Sequence, residues 1–170
     1  MAEWRKEPPA SEKEMAQLRQ EEQVSLYADH DVNDELVDKI NGYGFSIKIA
    51  PKRGYGRQPD DVHIGEANRQ QRCLIAQDKD YLANPEYRGK TRYGLIIVSA
   101  KHWGEEDTIN DIAHNCKSML NWGKEFFKRQ AVFRIGVDSI RAEYLTKSGE
   151  LCRKEFRYRN GELESRELTD

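Results

Sequence analysis

Along this chain, short apolar runs alternate with stretches whose apolar residues recur at helical spacing. Val24 to Ala28 is a compact run that stops at Asp29-His30-Asp31, as a short buried strand would. Asn33 then stands in capping position ahead of Leu36, Val37 and Ile40, a spacing that predicts a helix ending at Asn41-Gly42-Tyr43-Gly44. Phe45 to Ala50 alternates apolar with polar residues and predicts a second strand. Asp60 or Asp61 opens a helix through Ile64 and Ala67 toward Gln71, and Cys73 to Ala76 reads as a buried strand. Tyr93 to Ser99 predicts another strand. The longest helix is expected from about Glu105 to Lys128, with Ile109, Ile112, Ala113, Cys116, Met119, Leu120 and Phe127 on one stripe and Asp107 as its cap.

The two ends differ from this middle. Ala131 to Val137, Ser139 to Thr146 and Leu151 to Tyr158 carry β patterning, and Lys147-Ser148-Gly149-Glu150 supplies a hairpin turn. The last dozen residues read as a polar tail. Residues 1–23 hold Pro8, Pro9 and dense mixed charge, with capping-box spacing at Ser11-Glu12-Lys13-Glu14, and read as a polar leader with a short helix. The expected fold is therefore α/β and three-layered: a mostly parallel sheet with helices on both faces, plus a C-terminal β-hairpin. The division expected is a leader over 1–23, a domain over 24–138, and a hairpin extension with polar tail over 139–170.

Composition narrows the function. Of the 170 residues, 28 are Lys or Arg and 30 are Asp or Glu, so a net charge of −2 excludes a histone-like polycation. Any nucleic-acid contact must come from a local basic patch. The longest aliphatic run, Leu95-Ile96-Ile97-Val98, is far too short to span a bilayer. Met1 to Glu7 mixes acids and bases without an apolar run behind it, unlike a secretory signal. Cys73, Cys116 and Cys152 are odd in number and widely spaced, which argues against a structural zinc or a disulfide framework. A cytoplasmic protein is expected.

The predicted order of elements gathers acids. Asp29 and Asp31 follow the first strand, Asp78 and Asp80 follow the Cys73–Ala76 strand, and Asp60 and Asp61 open the intervening helix. Sites in open α/β sheets form beyond the carboxyl ends of parallel strands. Carboxylates crowded there repel one another, and a hard divalent cation, Mg²⁺ or Mn²⁺, resolves the conflict. Carboxylate-held Mg²⁺ suits phosphate chemistry. Taken singly, each of these acids is an ordinary turn or cap residue; only their convergence points to a site.

The residues also resemble the PIN-like nuclease superfamily, in particular a small prokaryotic branch found near toxin–antitoxin genes. The resemblance runs over roughly residues 24 to 138 and rests on Leu26 to Val32, on Asp60-Asp61-Val62-His63-Ile64 before Ala67, on Leu74 to Tyr81 with its Asp78-x-Asp80 strand end, and on Gly94 to Val98. It implies Asp29, Asp60, Asp78 and Asp80 as catalytic acids of a metal-dependent ribonuclease, a toxin-type component with an antitoxin protein as partner. Asp31 joins Asp29, Asp60 and Asp78 as a metal ligand in this reading. His30 and Asp31 stand where that branch carries Glu and Asn, and the final acid of fully active PIN ribonucleases has no clear counterpart after residue 100. The alternative is thus a catalytically inactive module that binds protein or RNA.

Lys52, Arg53, Arg57 and Lys79 flank the acidic rim and are the expected phosphate contacts, with Tyr55, Tyr81, Tyr87 and Trp103 available to stack on unpaired bases. RNA is the expected ligand, and a homodimer is plausible. His63, in the first turn of the Asp60 helix, is expected to be structural. A phosphatase with Asp29 as nucleophile and Asp31 as acid/base ranks last, because the chain lacks a clear following Thr/Ser and Lys set.

Overall fold

The computed structural model describes residues 3–7, 23–51, 60–77 and 89–168. Among them the chain forms β1 (Arg5–Lys6), β2 (Leu26–Ala28), α1 (Asp34–Gly42), β3 (Ile47–Ile49), α2 (Asp60–Arg69), β4 (Cys73–Ala76) and β5 (Leu95–Val98). There follow α3 (Glu106–Leu120), α4 (Lys124–Phe127), β6 (Val132–Ile135), β7 (Ile140–Leu145), β8 (Leu151–Arg159) and β9 (Glu162–Glu167). The proposed leader helix near Ser11–Glu14 lies outside the described residues.

Local chemistry sets the boundaries. Asn33 caps α1 as expected: its Oδ1 accepts from Glu35 N at 3.0 Å and Leu36 N at 3.2 Å. The single long helix expected to Lys128 is two helices. Gly123 takes φ 91°, a backbone state that L side chains resist, and the chain breaks there between α3 and α4. Asp107 does not cap α3; Glu105 occupies that position without a side-chain cap bond, and Asp107 falls in the first turn.

The strands form one nine-stranded sheet in the order β1-β9-β8-β7-β6-β5-β4-β2-β3. From β3 through β2, β4 and β5 to β6 every pairing is parallel, and from β6 onward every pairing is antiparallel. The sheet is therefore mixed, where a mostly parallel one was expected. The expected C-terminal hairpin is wider, because Glu162–Glu167 is a strand rather than a tail. Arg5–Lys6, assigned to the leader in sequence, pairs onto β9 as the outer strand.

Helices cover both faces. On one, α1 and α3 pack together over Leu26, Ala28, Ile75, Ile96 and Phe133. On the other, Ile64 and Ala67 of α2 join Tyr27, Leu74, Leu95 and Ile97. Strand residues alternate between these two clusters, so one step of register would exchange the faces. Each fully buried Leu, Ile or Phe side chain contributes about 1.5–3 kcal/mol. The chain turns from β2 to β3 on one side of β2 and pairs β4 on the other, so the crevice between β2 and β4 is where crossovers part in opposite directions.

Candidate metal centre

Asp29 is the first residue beyond β2, and its N–H still bonds to Ile75 O of β4 at 3.0 Å. Its carboxylate is therefore fixed at the carboxyl end of two adjacent parallel strands. Following the alternation of β2, it faces the side that α2 covers. The loop behind it is tied down: Val32 N bonds to Asp29 O, and Asn33 N donates to Gln77 Oε1 at 3.1 Å, linking the ends of β2 and β4.

Two imidazoles meet this carboxylate. His30 Nδ1 lies 2.9 Å from Asp29 Oδ1, and His63 Nε2 lies 3.4 Å from the same oxygen. The rings of His30 and His63 are 5.5 Å apart between centroids. One ligand atom from each of the three residues lies within 4.8 Å of the others. Asp29 and His63 are sealed in, with side chains 5% and 2% exposed, while His30 is 21% exposed and faces the way out.

His63 carries the sharpest signal. It is nearly wholly buried, yet neither ring nitrogen has a hydrogen-bond partner among the described residues. Leaving a buried polar group without a bond costs about 1–3 kcal/mol, so such groups call for an explanation. A cation beside Asp29 supplies one. Ligand atoms about 2.0–2.1 Å from a common ion in a tetrahedral shell stand about 3.3 Å apart, close to the two separations found here. Two imidazoles and a carboxylate make a mixed donor set. It suits Mn²⁺ or Zn²⁺ better than Mg²⁺, which prefers oxygen ligands alone.

Asp31, expected as a ligand, stands beside His30. Its Oδ1 lies 3.5 Å from His30 Nε2, on the far side of the ring from Asp29. A carboxylate on the outer nitrogen of a ligating histidine sets the tautomer and aims the inner nitrogen. Of the other expected site residues, Asp60 begins α2 as predicted, and its side chain lies outside what is described. Asp78, Asp80, Lys52, Arg53, Arg57 and Lys79 also lie outside the described residues. Asp61 is exposed on α2 and takes no part in the cluster.

Sequence reading did not bring either histidine together with Asp29. A signal for His63 existed: it precedes buried Ile64 and lies four residues before buried Ala67, which puts an imidazole on the covered face of α2. A separate cavity of about 230 Å³ lies against α3 and the β6–β7 turn, lined by Asp111, His114, Asn115, Asp138, Arg157 and Tyr158. Two of its polar groups are held by bonds within the fold. Asn115 Nδ2 donates to Gly136 O and Val137 O, and the Tyr158 hydroxyl bonds Ser118 Oγ.

Among the described residues no helix is long and apolar enough to cross a membrane. No protein-family model, curated protein or solved structure matches this chain.

Proposed function

We propose that this protein is a metal-dependent nuclease that hydrolyses phosphodiester bonds in RNA, built on a PIN-like arrangement of the α/β fold. The observation that supports it is the meeting of Asp29, His30 and His63 at the carboxyl end of β2, beside the crevice where crossovers diverge. Asp29, His30 and His63 would hold the ion, with Asp31 orienting His30. Asp60, Asp78 and Asp80 remain the proposed further acids, and Lys52, Arg53, Arg57 and Lys79 the proposed phosphate contacts. A bound Mn²⁺ or Zn²⁺ would supply Lewis acidity toward a phosphoryl oxygen and ease the ionisation of water. The protein's own part is positional. Asp29 presents a fixed carboxylate, buried His63 closes the inner side, and half-buried His30 borders the solvent side from which a phosphodiester approaches. The toxin-type role with an antitoxin partner belongs to this same reading, through the resemblance.

The test uses the full chain stripped with EDTA, then given 5′-labelled single-stranded RNA with Mn²⁺, Zn²⁺ or Mg²⁺. Cleavage that requires Mn²⁺ or Zn²⁺ and vanishes in Asp29→Asn is expected. Cleavage that survives EDTA or the Asp29→Asn change overturns the assignment. Metal uptake without cleavage of any RNA also overturns it and leaves the non-catalytic binding module.

A further inference from the structure

The register of the sheet links the Asp29 position to a pair of arginines on the antiparallel half. Ala28 pairs with Ile75, so Asp29 falls level with Ala76; Ala76 pairs with Ile97, Ile97 with Arg134, and Arg134 with Arg141. Side chains across such a row share one face. Tyr27, Leu74, Ile97 and Val132 mark it as the face that α2 covers, and Arg134 and Arg141 extend it beyond β5. The row lies one residue inside the carboxyl ends of β5 and β6. At about 4.8 Å per strand, Arg134 is about 14 Å from Asp29 and Arg141 about 19 Å.

Two features set these arginines apart. They are directly opposed across β6 and β7, an arrangement of like charges that weakens a sheet. Both are exposed, and neither enters an ion pair among the described residues. The neighbouring acids on this face are committed elsewhere. Glu143 lies 3.4 Å from Arg153, Glu155 2.7 Å from Arg166, and Glu164 3.2 Å from Arg157. Glu162 likewise pairs with Lys6, and Glu155, which stands opposite Arg141 across β7 and β8, is held by Arg166, so the positive charge left over on this face falls on Arg134 and Arg141 and, at the end of β8, on Arg159.

We infer that Arg134 and Arg141 form a phosphate-binding subsite that holds the backbone of a single RNA strand whose scissile linkage lies at Asp29. The identity of the ligand rests on the nuclease reading. The chemistry of recognition is that of two planar guanidinium forks on phosphate oxygens. A separation of about 14 Å corresponds to about four stacked nucleotides at ~3.4 Å each, so the subsite grips the strand a few linkages from the cut. Phosphate contacts of this kind fix register without reading sequence.

The experiment measures binding of the full chain to fluorescein-labelled single-stranded RNA by anisotropy, in EDTA, across a series of KCl concentrations. Wild type is compared with Arg134→Ala/Arg141→Ala and with Lys147→Ala, an exposed charge in the β7–β8 turn. The double variant should bind at least tenfold more weakly at 100 mM KCl. The slope of log K against log salt should flatten by about 1.4, at ~0.7 per lost single-strand phosphate contact. Lys147→Ala should match wild type. Circular dichroism confirms that the double variant is folded, as expected for two exposed side chains. Equal affinity and slope in the double variant overturn the inference, as does arginine-dependent binding of poly-glutamate with no binding of RNA, which would assign the pair to an acidic protein. Because no metal is present, loss of the nuclease assignment through Asp29→Asn cleavage data leaves this binding result readable by itself.

Discussion

His63 Nε2 lies 3.4 Å from Asp29 Oδ1 although one residue sits on α2 and the other beyond β2. The contact exists because Ile64 and Ala67 seat α2 on the same sheet face that Asp29 addresses, leaving His63 to face inward at the helix's first turn. A helix start, a strand end and a buried imidazole thus define one point in space.

Mn²⁺ or Zn²⁺ should stabilise the folded chain by binding it alone. At a hundredfold excess over Kd the gain is about 2.7 kcal/mol, or roughly 5–10 °C in Tm for a domain of this size. His63→Ala and Asp29→Asn should lose that shift, which differential scanning calorimetry with and without metal measures directly. A shift retained in both variants would place the ion elsewhere.

Asp31→Asn should leave the fold intact and weaken metal affinity by about 10–100-fold, because it removes the carboxylate facing His30 Nε2 while keeping the shape. Competition against a chromogenic chelator reads the constant. Asp31→Glu should restore part of it, a recovery that a purely structural role in the loop would not produce.

Gly94 precedes β5 with φ 96°, and a Cβ there would stand 2.8 Å from Phe127 Cδ2. Gly94→Ala should therefore cost about 2–4 kcal/mol, combining left-handed strain with overpacking. Gly65, inside α2, has nothing within 4 Å of its ideal Cβ. Gly65→Ala should stabilise by about 0.5–1 kcal/mol through helix propensity. Urea midpoints of the two variants should move in opposite directions.

Burial pushes the Cys116 thiol up to about 12 and holds Cys73 well above the ordinary range, with Cys116 as a lesser influence on it. The unfolded thiols ionise near 8.5, so between about pH 8.5 and 12 the native state keeps protons that the unfolded state has lost. Stability is full below that window and falls as pH rises through it, by about 1.4 kcal/mol per pH unit for each thiol. Urea denaturation at pH 7, 9 and 10.5 should show the decline, and Cys116→Ala should reduce its slope.

Much of the fold was legible where one face of an element is apolar. The Asn33 cap, the helices over Leu36–Ile40 and Ile109–Leu120, and the buried strands at Leu26, Cys73 and Leu95 follow from periodicity and capping chemistry alone. β9 was hidden because Glu162, Glu164 and Arg166 alternate with Leu163, Ser165 and Glu167, of which Leu163 alone is apolar, and its stability comes from cross-strand pairs with β8 that no local window contains. The break at Gly123 was written in Asn121-Trp122-Gly123 but masked by the apolar stripe running on to Phe127. At the site, Asp29 was readable from its place after a buried strand. The histidines were not, since a lone imidazole shows its purpose only through the carboxylate it meets across the fold.

The outermost strands carry a consequence for the molecule's behaviour in company. β1 is only two residues long, Arg5 and Lys6, and β3 is three, with Lys48 exposed at its centre. Among the described residues the nine-stranded sheet ends at these two borders, to which a neighbouring chain could add its own strand. Brevity and positive charge at both borders discourage that lateral growth, so the wide sheet is guarded against polymerising edge to edge.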